Sequence, residues 1–392
     1  MTAATTTPTH DEQLHWLALK LVPGLGPRRC RQLADYYHTP QAIFRASPSE
    51  LEAVGVSGSV ARTIASGCTF EEAVDQHQRM IDYETALIPI TDDRYPARLR
   101  EIFDPPIVLF TRGRLELLQS LMLGIVGTRR PTPYGSAATE RLAADLARAG
   151  LTIVSGMARG IDTAAHKAVR AIGGDTIAVF GCGVDNVYPT ENRNLADDLA
   201  VNGLIVSEFP MMTPAYPQNF PVRNRIISGM STGVLIVEGA QYSGSAITAR
   251  MAMEQQREVF AVPGSIMSKM SWGPNLLIKE GAKLVQDWND VIVELPPADR
   301  RALIAKAQSR QGLLPLDSAS ETTNDERPST NELSVHAHNL LKLLRPDAPI
   351  HLDVLLESFD ACSSSETIAA LFELEMTGLA RQLPGKNFVR VW

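Results

Sequence analysis

The sequence predicts an α/β protein. A doubly wound, parallel (Rossmann-like) sheet forms its middle, an all-helical domain precedes it and a small domain of helices and a hairpin follows. Three observations carry that prediction. From Leu121, short apolar runs alternate with helix-length, Ala-rich stretches, the pattern of strands buried on both faces and joined by crossover helices. Before residue 86 the apolar spacing follows the helical repeat. After residue 293 the composition turns to Pro, Ser, Thr, Asp and Glu, and apolar spacing resumes only near 333.

Residues 1–85 begin with a Thr-rich tail that has neither a basic segment nor an apolar one, so it does not read as a signal peptide. Leu14-Trp16-Leu17-Leu19 and Leu33-Tyr36-Tyr37 then keep helical spacing. Two turns, Val22-Pro23-Gly24-Leu25-Gly26 and Val54-Gly55-Val56-Ser57-Gly58, each lead into a new helix. They resemble the helix-hairpin-helix pair of SAM-like domains, whose turn amides can receive a phosphate. Tight helix connection explains the same glycines without any ligand. Arg28, Arg29 and Arg31 follow the first turn, and Arg62 follows the second.

Residues 86–293 form the second domain. Its opening, to about 119, reads as two short strands around Pro-rich turns that pair with or cap the main sheet. The main strands are expected at Leu123–Val126, Thr152–Val154, Thr176–Phe180, Leu204–Val206, Gly233–Val237 and Val259–Val262. Helices are expected at Ala137–Ala149, Ala164–Ala171, Leu195–Val201 and Ala246–Gln256. Residues 294–332 read as a flexible linker, clearest in Asp317–Asn331. In 333–392, helices are expected near Leu340–Leu344, Leu352–Ser358 and Glu366–Met376, with a hairpin around Pro384-Gly385-Lys386. That order suggests a winged helix. Its third helix carries Glu366, Glu373 and Glu375 and no Lys or Arg, which fits a protein-contact module better than a major-groove reader.

Hydrophobic content of 44% and charged content of 21% describe an ordinary globular chain. No apolar run is long enough to span a membrane. The four cysteines are scattered without a CxxC pair, which fits a reducing cytoplasm and no zinc site. The net charge of −7 argues against coating of duplex DNA by bulk charge. Acids and bases balance over residues 120–290, so a polyanion site there must come from local placement of arginines.

That placement is the strongest signal. In doubly wound sheets, ligands bind at the carboxyl ends of the strands. Those ends lead into Gly127-Thr128-Arg129-Arg130, Ser155-Gly156-Met157-Ala158-Arg159-Gly160, Gly181-Cys182-Gly183, Ser207-Glu208, Glu238-Gly239 with Ser243-Gly244-Ser245, and Pro263-Gly264. Phe220-Pro221-Val222-Arg223-Asn224-Arg225 sits between two strands and sets a ring, two guanidiniums and a carboxamide close together. An aromatic face stacks on a base and arginine forks hold phosphates. Arg129, Arg159, Arg223 and Arg225 are expected to converge on one rim. Roughly four phosphates neutralised would give log K against log salt a slope near −3.

Other chemistries fit less well. The first turn lacks G-x-G-x-x-G, and no G-x-x-x-x-G-K-[ST] occurs, so a dinucleotide enzyme and a P-loop NTPase are disfavoured. Asp162 with His166, four apart, is a candidate acid–base pair, but a helix N-cap explains Asp162 equally. Glu208 and Glu238 are either catalytic carboxylates or partners that orient the rim arginines.

Gly124-Ile125-Val126-Gly127-Thr128-Arg129-Arg130-Pro131, Ser155–Asp162 with His166, Tyr188-Pro189-Thr190-Glu191-Asn192, Phe220–Gly229, Ser243–Arg250 and Phe260-Ala261-Val262-Pro263-Gly264 occur in the order of the DNA processing protein A family (DprA, also called Smf). The chain resembles that family over roughly residues 88–290, and its front and tail resemble the longer members. The resemblance implies a recombination mediator without a cofactor or enzymatic turnover. Such proteins bind single-stranded DNA in natural transformation, share it with single-strand binding protein and load RecA. They form homodimers through the sheet domain. The implied strand-binding residues are Gly127, Arg129, Arg130, Gly156, Arg159, Gly160, Phe220, Arg223, Asn224, Arg225, Ser243, Gly244 and Ser245. Pro217-Gln218-Asn219 stands where some relatives carry basic residues before the Phe-Pro pair. The alternative is a nucleotide-binding hydrolase similar to the lysine-decarboxylase-like phosphoribohydrolases, whose loop reads P-G-G-x-G-T-x-x-E. Here Gly244-Ser245-Ala246-Ile247-Thr248 places a threonine where that class has its acid.

Overall fold

Gly, Pro and N-cap residues divide the first 85 residues into short helices. The computed structural model describes residues 8–241, 243–311, 334–344, 350–357, 367, 370–371, 373–375, 380–383 and 387–390. The chain divides into two compact units, Met1–Leu314 and Pro315–Trp392.

The first unit opens with α1 (His10–Leu21), α2 (Pro27–Tyr37), α3 (Pro40–Arg45), α4 (Pro48–Ala53), α5 (Gly58–Ser66) and α6 (Phe70–Asp82). Thr9 and Ser47 close capping boxes on Glu12 and Glu50, and Pro stands in the first turn of α2, α3 and α4, where its missing N–H costs nothing. The two glycine turns read from the sequence lie between α1 and α2 and between α4 and α5.

The connector contributes β1 (Ala86–Pro89), α7 (Ala97–Glu101) and β2 (Val108–Gly113). The α/β part follows as β3 (Met122–Val126), α8 (Pro133–Arg148), β4 (Thr152–Ser155), α9 (Ile161–Ala171), β5 (Thr176–Phe180), α10 (Arg193–Asn202) and β6 (Leu204–Ser207). Then come α11 (Asn219–Met230), β7 (Gly233–Ile236), α12 (Gly244–Glu254), β8 (Glu258–Ala261), α13 (Trp272–Lys279), β9 (Lys283–Leu284), α14 (Trp288–Glu294) and α15 (Pro297–Gln311). The strands form one sheet in the order β1-β2-β6-β5-β4-β3-β7-β8-β9. It is parallel from β6 to β9, and β1 and β2 extend it antiparallel at the β6 edge. The Pro-rich connector therefore pairs with the sheet. The winding steps from β3 outward through β4, β5 and β6, then returns to the other side of β3 with β7. That makes the β3/β7 border the switch point, where the crossovers diverge and leave a crevice.

Side-chain alternation assigns the two faces. Leu123, Ile125, Ile153 and Leu235 pack with Leu142 and Leu146 of α8, Ala165 and Val169 of α9, and Leu303 of α15. Val126, Val154, Val234 and Ile236 share the other core with Ile226, Ile227 and Met230 of α11. Trp16, Leu17, Leu33, Ile43 and Ile64 belong to that same second core. The helical front thus folds as part of the sheet unit.

The expected linker is corrected at its start. α15 runs from Pro297 to Gln311 because Leu303 is buried and Asp299 accepts from Arg98 Nη2 at 2.6 Å and Thr232 Oγ1 at 2.6 Å. The expected linker core at 317–331, the tail at 1–7 and the turn at 384–386 lie outside the described residues.

The second unit holds α16 (Val335–Leu343), β10 (Ile350–His351), α17 (Leu352–Glu357), helical positions within 367–375, β11 (Ala380–Leu383) and β12 (Asn387–Arg390). Its antiparallel sheet has the order β10-β12-β11, over a core of Leu340, Leu341, Leu355, Leu371, Leu374 and Phe388. This is a winged-helix arrangement. Glu373 accepts from the backbone N and Oγ of Ser334 at 2.8 and 2.6 Å, so one acid of the third helix serves to hold the start of α16. Among the described residues, no helix is long and apolar enough to cross a membrane.

Candidate nucleic-acid interface

A pocket of about 450 Å³ opens at the switch point, over the carboxyl ends of β3 and β7. Gly127, Thr128 and Arg129 line it from the β3 turn, and Ser243, Gly244, Ser245 and Thr248 from the start of α12. Phe220, Arg223 and Asn224 of α11 close it on a third side, with Tyr188 beside Phe220. A smaller cleft continues from it between Arg129, Gly156, Arg159, Tyr188 and Phe220.

Phe220–Arg225, expected as a stretch between strands, forms the first two turns of a helix. Positions i, i+3 and i+4 share a face, so Phe220, Arg223 and Asn224 point together. Arg225 lies about 200° around the helix from Arg223 at 100° per residue. That geometry removes it from the site. Arg225 is buried and donates Nη2 to Glu208 Oε2 at 2.6 Å and Nη1 to the Asp104 carbonyl at 2.7 Å.

Arg223 is 4% exposed. Its Nη1 donates to the carbonyls of Gly156 (2.7 Å) and Val179, and its Nε to Asn224 Oδ1 at 3.1 Å. Burial pushes its pKa down to about 10, an effect opposed by Asp162; the guanidinium stays charged at neutral pH. Gly156 is required here, because a Cβ would run into that guanidinium. Asn224 spends its carbonyl oxygen on Arg223, leaving its NH₂ to donate.

The Phe220 ring is the centre of the site. The Arg129 guanidinium stands 5.6 Å from its centroid and that of Arg223 6.0 Å, both within cation–π range. The Tyr188 ring lies 5.4 Å away, tilted by 42°. Arg129 is exposed and, among the described residues, has no carboxylate partner. Beside the ring runs the first turn of α12, whose leading amides have no intrahelical acceptor. An aromatic face, a free guanidinium and helix-start amides around one opening can together hold a base and its phosphates.

Two family models match the chain. That of DNA recombination-mediator protein A covers residues 86–296, and that of the DprA winged helix domain covers residues 324–386. The chain belongs to the DprA/Smf family. It is 34% identical to Protein Smf of Synechocystis sp. over 97% of this chain and 99% of that protein. It is 47% identical to the DNA processing protein DprA of Bacillus subtilis, over 53% of this chain and 71% of that one. The X-ray structure of DNA processing protein A from Streptococcus pneumoniae superposes with a TM-score of 0.64 at 35% identity, covering 74% of this chain and 99% of that chain.

In this DprA/Smf chain the remaining expected residues separate into three groups. Arg130 is exposed beside Arg129 but outside the pocket lining. Arg159 borders the cleft, yet both arms of its guanidinium meet Glu191, Nη2 to Oε2 at 2.8 Å and Nε to Oε1. Gly160 starts α9 at φ 80° against the Thr128 carbonyl, a backbone role. The four converging arginines expected from the sequence are thus one free at the pocket, one buried in its wall, one paired at the edge and one turned away. The salt slope expected from this rim falls accordingly, to about −1.4 if Arg129 in the pocket and Arg130 beside it each meet a phosphate at about −0.7 apiece.

The candidate catalytic groups are engaged elsewhere. Asp162 Oδ2 accepts the amides of Gly156 (3.0 Å) and Ala158 (3.4 Å), so it ties the turn before α9 instead of capping the helix. Burial raises its pKa, and Arg223 and those amides pull it back. His166 is fully buried with Nδ1 2.7 Å from Thr176 Oγ1, and burial, then Arg223, lowers its pKa to about 3. Glu208 does orient an arginine, Arg225. Glu238 instead accepts from Thr132 N and Oγ1 at 2.9 and 2.6 Å and fixes the start of α8.

Tyr188 and Glu191, quoted above only as part of a family segment and not among the expected strand-binding residues, also border the site. The available signal was a Tyr-Pro pair and an acid after the β5 strand, on the same rim. Asn192 holds that segment in place by donating to the Met157 carbonyl and Thr163 Oγ1 at 2.9 and 2.8 Å.

Proposed function

We propose that the chain binds unpaired DNA at the switch-point pocket and works there as a recombination mediator. It keeps strands taken up in natural transformation, shares them with single-strand binding protein and delivers them to RecA, as a cytoplasmic homodimer joined through the sheet domain. One observation carries the reading: the Phe220 ring, flanked by the Arg129 and Arg223 guanidiniums and the Tyr188 ring, lies beside the start of α12 at an open rim. A base stacks on Phe220, its phosphate meets Arg129 and the α12 amides, and the Asn224 NH₂ donates to either. Stacking needs a base free of its partner, so the site favours single strands over duplex. Membership of the DprA/Smf family supports the recombination role.

The test is binding of an oligo-dT by fluorescence anisotropy, with duplex of equal length as competitor. Phe220→Ala is expected to weaken dT binding by about 1–3 kcal/mol with melting unchanged. Equal binding by the variant, or preference for duplex, contradicts the reading.

The hydrolase alternative lacks its carboxylate. Thr248 Oγ1 donates to the Gly244 carbonyl at 3.2 Å, and a hydroxyl of ordinary acidity cannot steady a cationic ribose. Asp162 lines the pocket, but its Oδ2 is already bound by two amides. Incubation with adenosine monophosphate is expected to release no adenine; steady release favours the hydrolase.

A further inference from the structure

A second cluster of arginines and exposed rings lies away from the switch point, on the helical front. A groove of about 680 Å³ is lined by Arg28, Arg29, Arg31 and Tyr36 of α2 together with Phe103, which follows α7. Phe103 is 71% exposed and Tyr36 65% exposed, the two most exposed aromatic rings among the described residues. The Arg28 guanidinium stands 4.8 Å from the Phe103 centroid.

The second glycine turn borders this groove through Val54. A Cβ on Gly55, at φ 93°, would lie 2.8 Å from Arg29 Nη1, so that guanidinium rests close against the second turn, whose left-handed backbone favours glycine. Arg29 Nη1 donates to Gln32 Oε1 at 2.6 Å. The acids of the groove are occupied: Asp35 lies 3.6 Å from Arg31, and Glu101 3.4 Å from Arg257. Among the described residues, Arg28 and Arg29 have no carboxylate partner, and the groove keeps an excess of positive charge in a chain of net charge −7.

We propose that this groove is a second contact for an unpaired polynucleotide. Arg28 and Arg29 meet phosphates, and Phe103 and Tyr36 offer faces to bases. Two exposed rings next to two unpaired guanidiniums repeat the chemistry of single-strand tracks, where stacking and backbone charge act together. Duplex DNA would engage the arginines but not the rings. The site goes beyond the switch-point reading and stands or falls separately from it.

The experiment uses the full chain carrying Arg129→Ala and Phe220→Ala, so that binding at the switch point is already weakened. Anisotropy of a labelled oligo-dT is followed across salt, and 5-iodouracil-substituted dT is photocrosslinked and mapped by mass spectrometry. In this background, adding Arg28→Ala and Arg29→Ala is expected to flatten the salt slope by about 1.4, two phosphates at about 0.7 each. Phe103→Ala is expected to cost at least about fivefold in affinity and Phe103→Tyr to restore it. Crosslinks are expected on Tyr36 or Phe103. These side chains are at the surface, so melting should not move. An unchanged slope, crosslinks confined to sheet-domain peptides, or duplex competing as well as dT would each overturn the proposal.

Discussion

Arg223 and Arg225 are two residues apart and do opposite work. Arg223 anchors the wall of the pocket through backbone carbonyls, whereas Arg225 neutralises Glu208 beneath the helical front. Replacing Arg225 by Met leaves Glu208 buried with only Lys20, 4.0 Å away, near its carboxylate. Breaking a buried pair from one side costs about 3–5 kcal/mol, so Arg225→Met should lower stability by that order in chemical denaturation. The fraction that remains folded should bind dT as wild type does. At the pocket edge, Glu191 holds Arg159, and in the proposed complex it would compete with a strand phosphate for it. Glu191→Gln frees that guanidinium, and the dT salt slope should steepen by about 0.7; an unchanged slope would mean that Arg159 does not reach the strand. Position at the pocket was legible where one side chain sufficed, as with Phe220 and Arg129. Pairing was not, because Glu191 lies 32 residues from Arg159 and nothing local links them.

At the scale of elements, six of the seven parallel strands beyond the connector, β3 to β8, were legible within a residue or two, since continuous apolar runs such as Thr176–Phe180 have few other uses; β9 is two exposed residues and carries no such run. The helix α11 was not. Ile226, Ile227 and Met230 are buried, and so are Arg223, Arg225 and Ser228, so no polar stripe marks its period, and Pro221 in its first turn reads as loop. With the helix unseen, the faces of Arg223 and Arg225 could not be told apart. The turn between β4 and α9 depends on packing against that same helix. Gly156→Ala should displace the Arg223 guanidinium, cost about 1–3 kcal/mol of stability as an overpacked site, and weaken dT binding in parallel with Phe220→Ala. Loss of stability with full affinity would show that Arg223 can move without harm to the pocket.

The whole first unit behaves as one body in this account. The front and the sheet share one core and are tied by Gln76 Oε1 to the Met211 amide at 2.8 Å and by Arg31 Nη1 to the Ile102 carbonyl at 3.0 Å. Removing residues 1–85 would take Trp16, Leu17, Leu33, Ile43 and Ile64 out of the shared core and Lys20 from beside Glu208. The truncated chain should therefore melt far lower or aggregate, and calorimetry of the full chain should show front and sheet unfolding together. Composition marked the front as a separate helical domain because it records helical spacing and is blind to which apolar faces meet. The same blindness made a linker of α15, which is polar on most sides and held by Leu303 and Asp299. The central claim concerns a single guanidinium beside a phenyl ring at the switch point, and the salt dependence of oligo-dT binding in wild type and Arg129→Ala tests it most directly. The account predicts that the variant binds more weakly, with its slope flatter by about 0.7 and its melting unchanged; identical affinity and slope in the two proteins would contradict it.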